Sequence, residues 1–185
     1  MNKKVVLIVD DEPANINLVA EILHNLYEIR IATNGMTALG MIEKAKPNLI
    51  LLDINMPQMN GYEVAAKLKS SKETTSIPFI FLTAKSDAQS IVEGFKHGAV
   101  DYISKPFSKE ELLARVETHL KLYMLQDSLN EKVNELSNYL EIMDQNINFS
   151  TTDLKGVITK VSSAFCKVCG YTKEELISKT HNIVR

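Results

Sequence analysis

The stretch Leu49-Ile50-Leu51-Leu52-Asp53 constrains this chain more than any other. Four large aliphatic residues run without a polar break and stop at an acid. A run so short and so apolar reads as a strand buried on both faces, as in a parallel sheet covered by helices. It leaves Asp53 at the carboxyl end of that strand, where open α/β sheets bind their ligands. Alone, Asp53 would be explained as well by a solvated turn before Pro57 and Asn60-Gly61. The ends of the other strands decide between the two.

A second apolar run, Val5 to Val9, is ended by Asp10 and Asp11. Pro13 then opens a helical pattern with Ile16, Val19, Ala20, Ile22 and Leu23 on one face. Acids in this position also serve simply to cap a helix and complement its dipole. Ile29 and Ile31 alternate with polar neighbours as in a half-exposed strand, Asn34-Gly35 reads as a turn, and residues 36–45 read as a helix. Val64, Ala65 and Leu68 mark a third helix, and a polar loop over 70–76 leads to the buried strand Phe79-Ile80-Phe81-Leu82, which ends at Thr83-Ala84. Ile91, Val92, Phe95 and Ala99 pattern a fourth helix with Gly98 as its stop. Asp101 to Ser104 is a short strand ending at Lys105-Pro106, after which Ser108 caps a fifth helix and Glu111 completes a capping box.

Five strand–helix units call for a parallel sheet with helices on both faces, an α/β doubly wound fold. Right-handed crossovers with one reversal of winding bring the first and third strands together at the switch point. Asp10, Asp11, Asp53, Thr83 and Lys105 then share one rim. Carboxylates crowded together raise one another's pKa unless a cation neutralises them, and hard oxygen ligands select Mg²⁺ or a similar ion. That setting suits phosphoryl transfer, in which a carboxylate can act as the nucleophile. Lys105 would pair with the phosphoryl group as a point charge, and Thr83 would offer it a hydroxyl donor.

In order and spacing, Asp10-Asp11, Asp53, Thr83-Ala84 and Lys105-Pro106 resemble the receiver domain of two-component response regulators, over roughly residues 3–121. The resemblance implies a flavodoxin-like sheet of order 2-1-3-4-5. It implies that Asp53 accepts a phosphoryl group from the phosphohistidine of a sensor histidine kinase. It implies that Asp11, Asp53 and the backbone carbonyl of Asn55 hold Mg²⁺, with Asp10 acting through a water. Thr83 and Tyr102 match the family's switch pair, in which the phosphoryl group draws the hydroxyl inward and the aromatic ring follows. Lys105-Pro106 is expected to be cis, and Asn55 and Lys85 occupy positions that set phosphate lifetime in the family. Blander roles remain for the pair, Thr83 as a helix cap and Tyr102 as a half-buried strand aromatic. A Mg²⁺-dependent phosphohydrolase using Asp53 would want a second acid close behind it, where Asn55 stands instead. A flavin-binding module on the same topology would want donor-rich loops where this chain carries acids.

Beyond the receiver-like region, Leu129, Val133, Leu136, Leu140, Met143 and Ile147 recur at alternating steps of four and three. With Leu129 at d, Val133 and Leu140 fall at a, a two-stranded coiled-coil preference, and Gln126 is a polar a residue that fixes register. Neither Gly nor Pro occurs between Phe107 and Phe149. A parallel homodimer follows as an expectation; the competing reading is one amphipathic helix folded back on its own domain. From Phe149 the pattern becomes strand, turn and helix. Asp153/Gly156, Gly170-Tyr171 and Glu174-Glu175-Leu176 resemble the opening third of a PAS sensory domain, an α+β fold needing about a hundred residues to close its core. The chain is therefore expected to be cut within that domain, with residues 1–121 a receiver, 122–148 a coiled-coil signalling helix and 149–185 an incomplete PAS domain. Cys166 and Cys169 lack a second ligand pair for zinc and read as small apolar residues on a helix.

With 185 residues, 45% of them hydrophobic, the chain can bury a real core. Its net charge of -2 carries no basic footprint, so no direct nucleic-acid contact is expected. Two cysteines imply no disulfide framework, and no run approaches a membrane span. A soluble, cytoplasmic phosphoacceptor switch with no membrane partner is the expectation, rather than an enzyme in its own right.

Overall fold

The computed structural model describes residues 3–84 and 94–184. It divides into two compact units, Met1–Leu125 and Gln126–Arg185. The first holds strands β1 (Val5–Val9), β2 (Glu28–Ala32), β3 (Leu49–Asp53), β4 (Phe79–Thr83) and β5 (Asp101–Ser104). All four pairings are parallel and the order is β2-β1-β3-β4-β5, the doubly wound arrangement expected.

The continuous apolar runs are explained by helices on both sides. Leu7, Val9, Ile50, Leu52, Phe79 and Phe81 pack with α2 (Gly35–Lys44) and α3 (Gly61–Ser70) through Ala38, Ile42, Val64 and Leu68. The intervening residues, Val6, Ile8, Leu49, Leu51, Ile80 and Leu82, pack with Ile16, Val19 and Leu23 of α1 (Pro13–Leu23). On that same side lie Leu112, Val116 and Leu120 of a long helix, Lys109–Asn146. A strand alternates its side chains at every residue, so only a sheet covered twice can bury every one. β2 is one of the two edges, and its Ile31 remains 44% exposed.

Asn34-Gly35 behaves differently from the expected turn. Asn34 caps α2 by accepting the Thr37 N–H at 2.8 Å. Asn60 caps α3 in a full capping box with Glu63, each bond 2.9 Å. An Asx side chain before a helix satisfies a free N–H, which outweighs its turn preference. The expected box at the long helix is only half made. Ser108 Oγ accepts the Glu111 N–H at 3.1 Å, but the Glu111 carboxylate accepts from Arg115 Nε at 3.2 Å. Ile91, Val92 and Lys85 lie outside the described residues. The expected stop is in place, with Gly98 at φ +84° and its N–H on the Phe95 carbonyl.

At the first residue of α3 a Cβ on Gly61 would strike the Asp53 carbonyl oxygen and the Ile54 Cα, both backbone atoms. Gly61→Ala is therefore expected to destabilise the fold by about 1–3 kcal/mol, read as a lower urea midpoint, because backbone cannot yield as a side chain would.

In the second unit β6 (Ser150–Thr152) and β7 (Ile158–Val161) form an antiparallel hairpin. The Asp153 carboxylate accepts the Lys155 and Val157 N–H groups, each at 2.9 Å, and Gly156 takes φ +79°. Helices Ser163–Cys169 and Lys173–Leu176 follow. Ile158, Val161 and Leu176 make a small core against which Phe165, Cys166 and Cys169 pack. Burial pushes the Cys166 thiol up, away from the reactive thiolate. Among the described residues no helix is long and apolar enough to cross a membrane.

Candidate functional site

Each residue of the rim is rooted by an extension of the sheet. The Asp10 N–H continues the ladder to the Ala32 carbonyl at 3.2 Å, and the Lys105 N–H continues it to the Thr83 carbonyl at 2.7 Å. Asp53 is itself the last residue of β3, paired with Leu82. The β1–β3 pairing, where winding reverses, therefore places Asp10 and Asp53 side by side at the carboxyl ends of neighbouring strands.

Lys105 joins them. Its Nζ lies 2.7 Å from Asp10 Oδ2 and 2.6 Å from Asp53 Oδ1. The remaining oxygens are also engaged. Asp10 Oδ1 accepts the Glu12 N–H at 2.9 Å and Asn15 Nδ2 at 3.2 Å, and Asp53 Oδ2 accepts the Asn55 N–H at 2.8 Å. Asn15, which also reaches Glu12, escaped the sequence reading. Its only signal is a polar side chain one turn after Glu12 on α1. The N-cap of α1, Glu12, makes no side-chain cap bond of its own, and Asp10 accepts its free N–H.

Among the described residues one ammonium serves two nearly enclosed carboxylates, which leaves them under-neutralised. Burial pushes the Asp53 carboxyl above its ordinary range and nearby Asp10 adds to the rise, against the bonds from Lys105. Burial also works against the Lys105 charge, but the bonds to Asp10 and Asp53 outweigh it and hold the ammonium above its usual range.

These groups floor an open cleft of about 500 Å³. Asp11, Asn55, Ala84 and Phe107 are among the residues that line it, and Asp11 is exposed. Among the described residues no three His, Cys, Asp or Glu side chains gather as a metal-ligand cluster. Mg²⁺ uses only one or two carboxylates and keeps several waters, so the oxygen donors of Asp11, Asp53 and Asn55 around an under-neutralised cleft fit such an ion.

Thr83 and Tyr102 face a different space. They line a small apolar cavity with Phe81, Gly94 and Ala99. Thr83 is buried and Tyr102 half-buried, its ring edge-on to Phe95 at 6.0 Å between centroids. The Arg115 guanidinium lies 6.0 Å from the Tyr102 ring centre and also pairs with Asp101 at 2.8 Å. The Lys105-Pro106 peptide bond is cis, as expected.

Known proteins are similar to this chain over the part that holds the site. The family model for the response regulator receiver domain matches residues 6–117. A Vibrio cholerae protein named as a probable cyclic di-GMP phosphodiesterase is 40% identical over 156 residues, covering 80% of this chain and 35% of its own length. A match of that extent runs beyond the receiver and well into the long helix. The Pseudomonas aeruginosa phosphate regulon transcriptional regulatory protein PhoB is 43% identical over 119 residues, covering 64% of this chain and 52% of its own length. The chain thus spans less than two thirds of either relative. Among solved structures, a CheY-like receiver domain protein from Methanospirillum hungatei superposes with a TM-score of 0.63 at 30% identity, covering 68% of this chain and 99% of its own. Vibrio cholerae CheY4 gives 0.60 at 31% identity, covering 63% and 98%. Sheet order, rim residues and family match coincide over more than half of the sequence: the chain belongs to the response regulator receiver domain family of two-component signalling.

Proposed function

We propose that the chain accepts a phosphoryl group on Asp53 from the phosphohistidine of a sensor histidine kinase, and passes that state along a coiled coil of two copies to its PAS-like segment and an output beyond. The observation that carries the first half is Asp53 at the end of β3, with Lys105 2.6 Å from Oδ1 and the Asn55 N–H 2.8 Å from Oδ2.

These contacts orient the carboxylate toward the cleft. An Asp53 oxygen attacks phosphorus, the P–N bond breaks, and its electron pair stays on the ring nitrogen, which takes a proton from solvent. The Lys105 ammonium follows the charge onto the phosphoryl oxygens while keeping Asp10 as its second partner. Asp11, Asp53 and the Asn55 backbone carbonyl would hold Mg²⁺, with Asp10 acting through a water. Bound there, the ion supplies the positive charge that one lysine lacks beside an arriving phosphoryl dianion. Thr83 offers its hydroxyl at the end of β4, and Tyr102 occupies the space beside it, a pair suited to report the modification. Incubation with Mg²⁺ and a small acyl phosphate is expected to add one phosphoryl group by intact mass, and chelation of the ion to prevent it. Uptake that ignores chelation contradicts the metal's part.

The second half rests on the helix surface. Leu129, Val133, Leu136, Leu140, Met143 and Ile147 are each between 44% and 63% exposed in a single chain. Apolar residues at a and d of a heptad are buried by a second helix. The native chain is expected to have twice its monomer mass in solution at micromolar concentration, and Leu136→Lys, a charge at a central d position, to be monomeric. A native monomer would refute the pairing.

A further inference from the structure

The long helix ends at Asn146, and only Ile147, Asn148 and Phe149 separate it from β6. A connection that short still leaves the following segment free to swivel unless something ties it down. The acids along this part of the helix mostly bond within it: Glu135 with Lys132 and Tyr139, Glu141 with Gln145. Asp144 does not. Its Oδ1 accepts the Ser163 N–H at 3.2 Å, its Oδ2 accepts the Ser163 hydroxyl at 2.5 Å, and Lys173 Nζ lies 3.1 Å from both oxygens.

One carboxylate thus gathers donors from the first residue of each of the two helices that follow the hairpin. Those helices are themselves packed on β7 through Leu176, Phe165 and Ile158, so fixing them fixes the segment. The bonds from Ser163, ahead of those from Lys173, hold the Asp144 carboxyl below its usual range. An isolated surface ion pair contributes little, but a carboxylate forked onto an ammonium while accepting a hydroxyl and an amide is directional as well as charged.

We propose that Asp144 is the positioning residue that fixes the C-terminal segment, residues 150–176, on the last turns of the long helix, so that the two move as one body. A rotation or shift of the helix then reaches the segment without slack. This use as a relay rests on the coiled-coil reading above; the joint itself does not.

The test uses the whole 185-residue chain. Residual dipolar couplings from residues 126–146 and 150–176 are expected to fit one alignment tensor in the native protein and to require two in Asp144→Ala. In that variant the Ser163 amide is expected to exchange about tenfold faster or more. The amides of Ile158 and Cys166, bonded to the Lys179 and Ser162 carbonyls, keep their protection and show that the segment is still folded. Asp144→Asn, which keeps an oxygen in place to accept from Ser163, is expected to retain a single tensor and to fall between the native protein and Asp144→Ala in Ser163 exchange, a graded response that a merely structural role would not give. Two tensors in the native chain, one tensor in Asp144→Ala, loss of Ile158 protection in that variant, or two tensors in Asp144→Asn would each overturn the proposal. A single tensor is expected of a monomer and a dimer alike, so this joint and the coiled coil fail separately.

Discussion

Asp53→Asn is expected to abolish phosphoryl uptake completely and, at pH 7, to raise the urea midpoint above that of the native chain. The first effect follows from removing the nucleophile, since an amide cannot attack phosphorus as a carboxylate does. The second follows from the charge count. Asp53 is only 6% exposed and shares one ammonium with Asp10, so burial lifts its folded pKa above the ordinary 3.8. A carboxyl whose folded pKa is raised contributes stability below its unfolded pKa and loses it as pH climbs through the folded value. Asn removes that loss and leaves Lys105 paired with Asp10 at 2.7 Å. The difference between variant and native protein should therefore be largest at neutral pH and vanish toward pH 3.8 and below. Such a cost retained in the native protein is what a working site looks like. Equal midpoints at every pH would show that burial of the Asp53 charge costs nothing.

Lys105→Ala is expected to act in the opposite direction. It strands two carboxylates whose side chains are 1% and 8% exposed, with the ammonium that joins them gone. Breaking a fully enclosed pair costs roughly 3–5 kcal/mol, and a cleft open to water softens this to about 2 kcal/mol at pH 7. Without Lys105, burial and the neighbouring Asp10 charge raise the Asp53 carboxyl unopposed by that ammonium, so protonation restores the lost stability and the variant should approach the native midpoint as pH falls. Its uptake of a phosphoryl group should be strongly slowed, because no fixed cation meets the arriving charge. Chemical denaturation at pH 7 and pH 4, beside the rate of mass gain, reads both effects. A variant destabilised equally at both pH values would mean that Lys105 acts through packing.

The centre of the sheet was legible because β1, β3 and β4 are almost uninterrupted apolar runs, and the meeting of Asp10, Asp53 and Lys105 was legible because each stands at the carboxyl end of a strand. Local chemistry was harder to read. Asn34 and Asn60 precede glycines and suit a turn as well as a cap; the choice depends on whether a helix with a packed face follows, which the dipeptide does not encode. Glu111 has the spacing for a capping box, yet its carboxylate goes to Arg115, which Asp101 of β5 also holds. That competition exists only once strand and helix are packed. Asp144 was not legible at all. In a heptad it is an ordinary flank residue, and its partners lie 19 and 29 positions away.

The most direct measurement of the central claim is the location of the phosphoryl group. After incubation with Mg²⁺ and an acyl phosphate or a phosphorylated histidine kinase, peptide mapping of the native chain should find one acyl phosphate, labile to alkali and cleaved by hydroxylamine, on Asp53. A phosphoryl group on a hydroxyl residue or a histidine, or on Asp10 or Asp11 with Asp53 unmodified, would contradict the account.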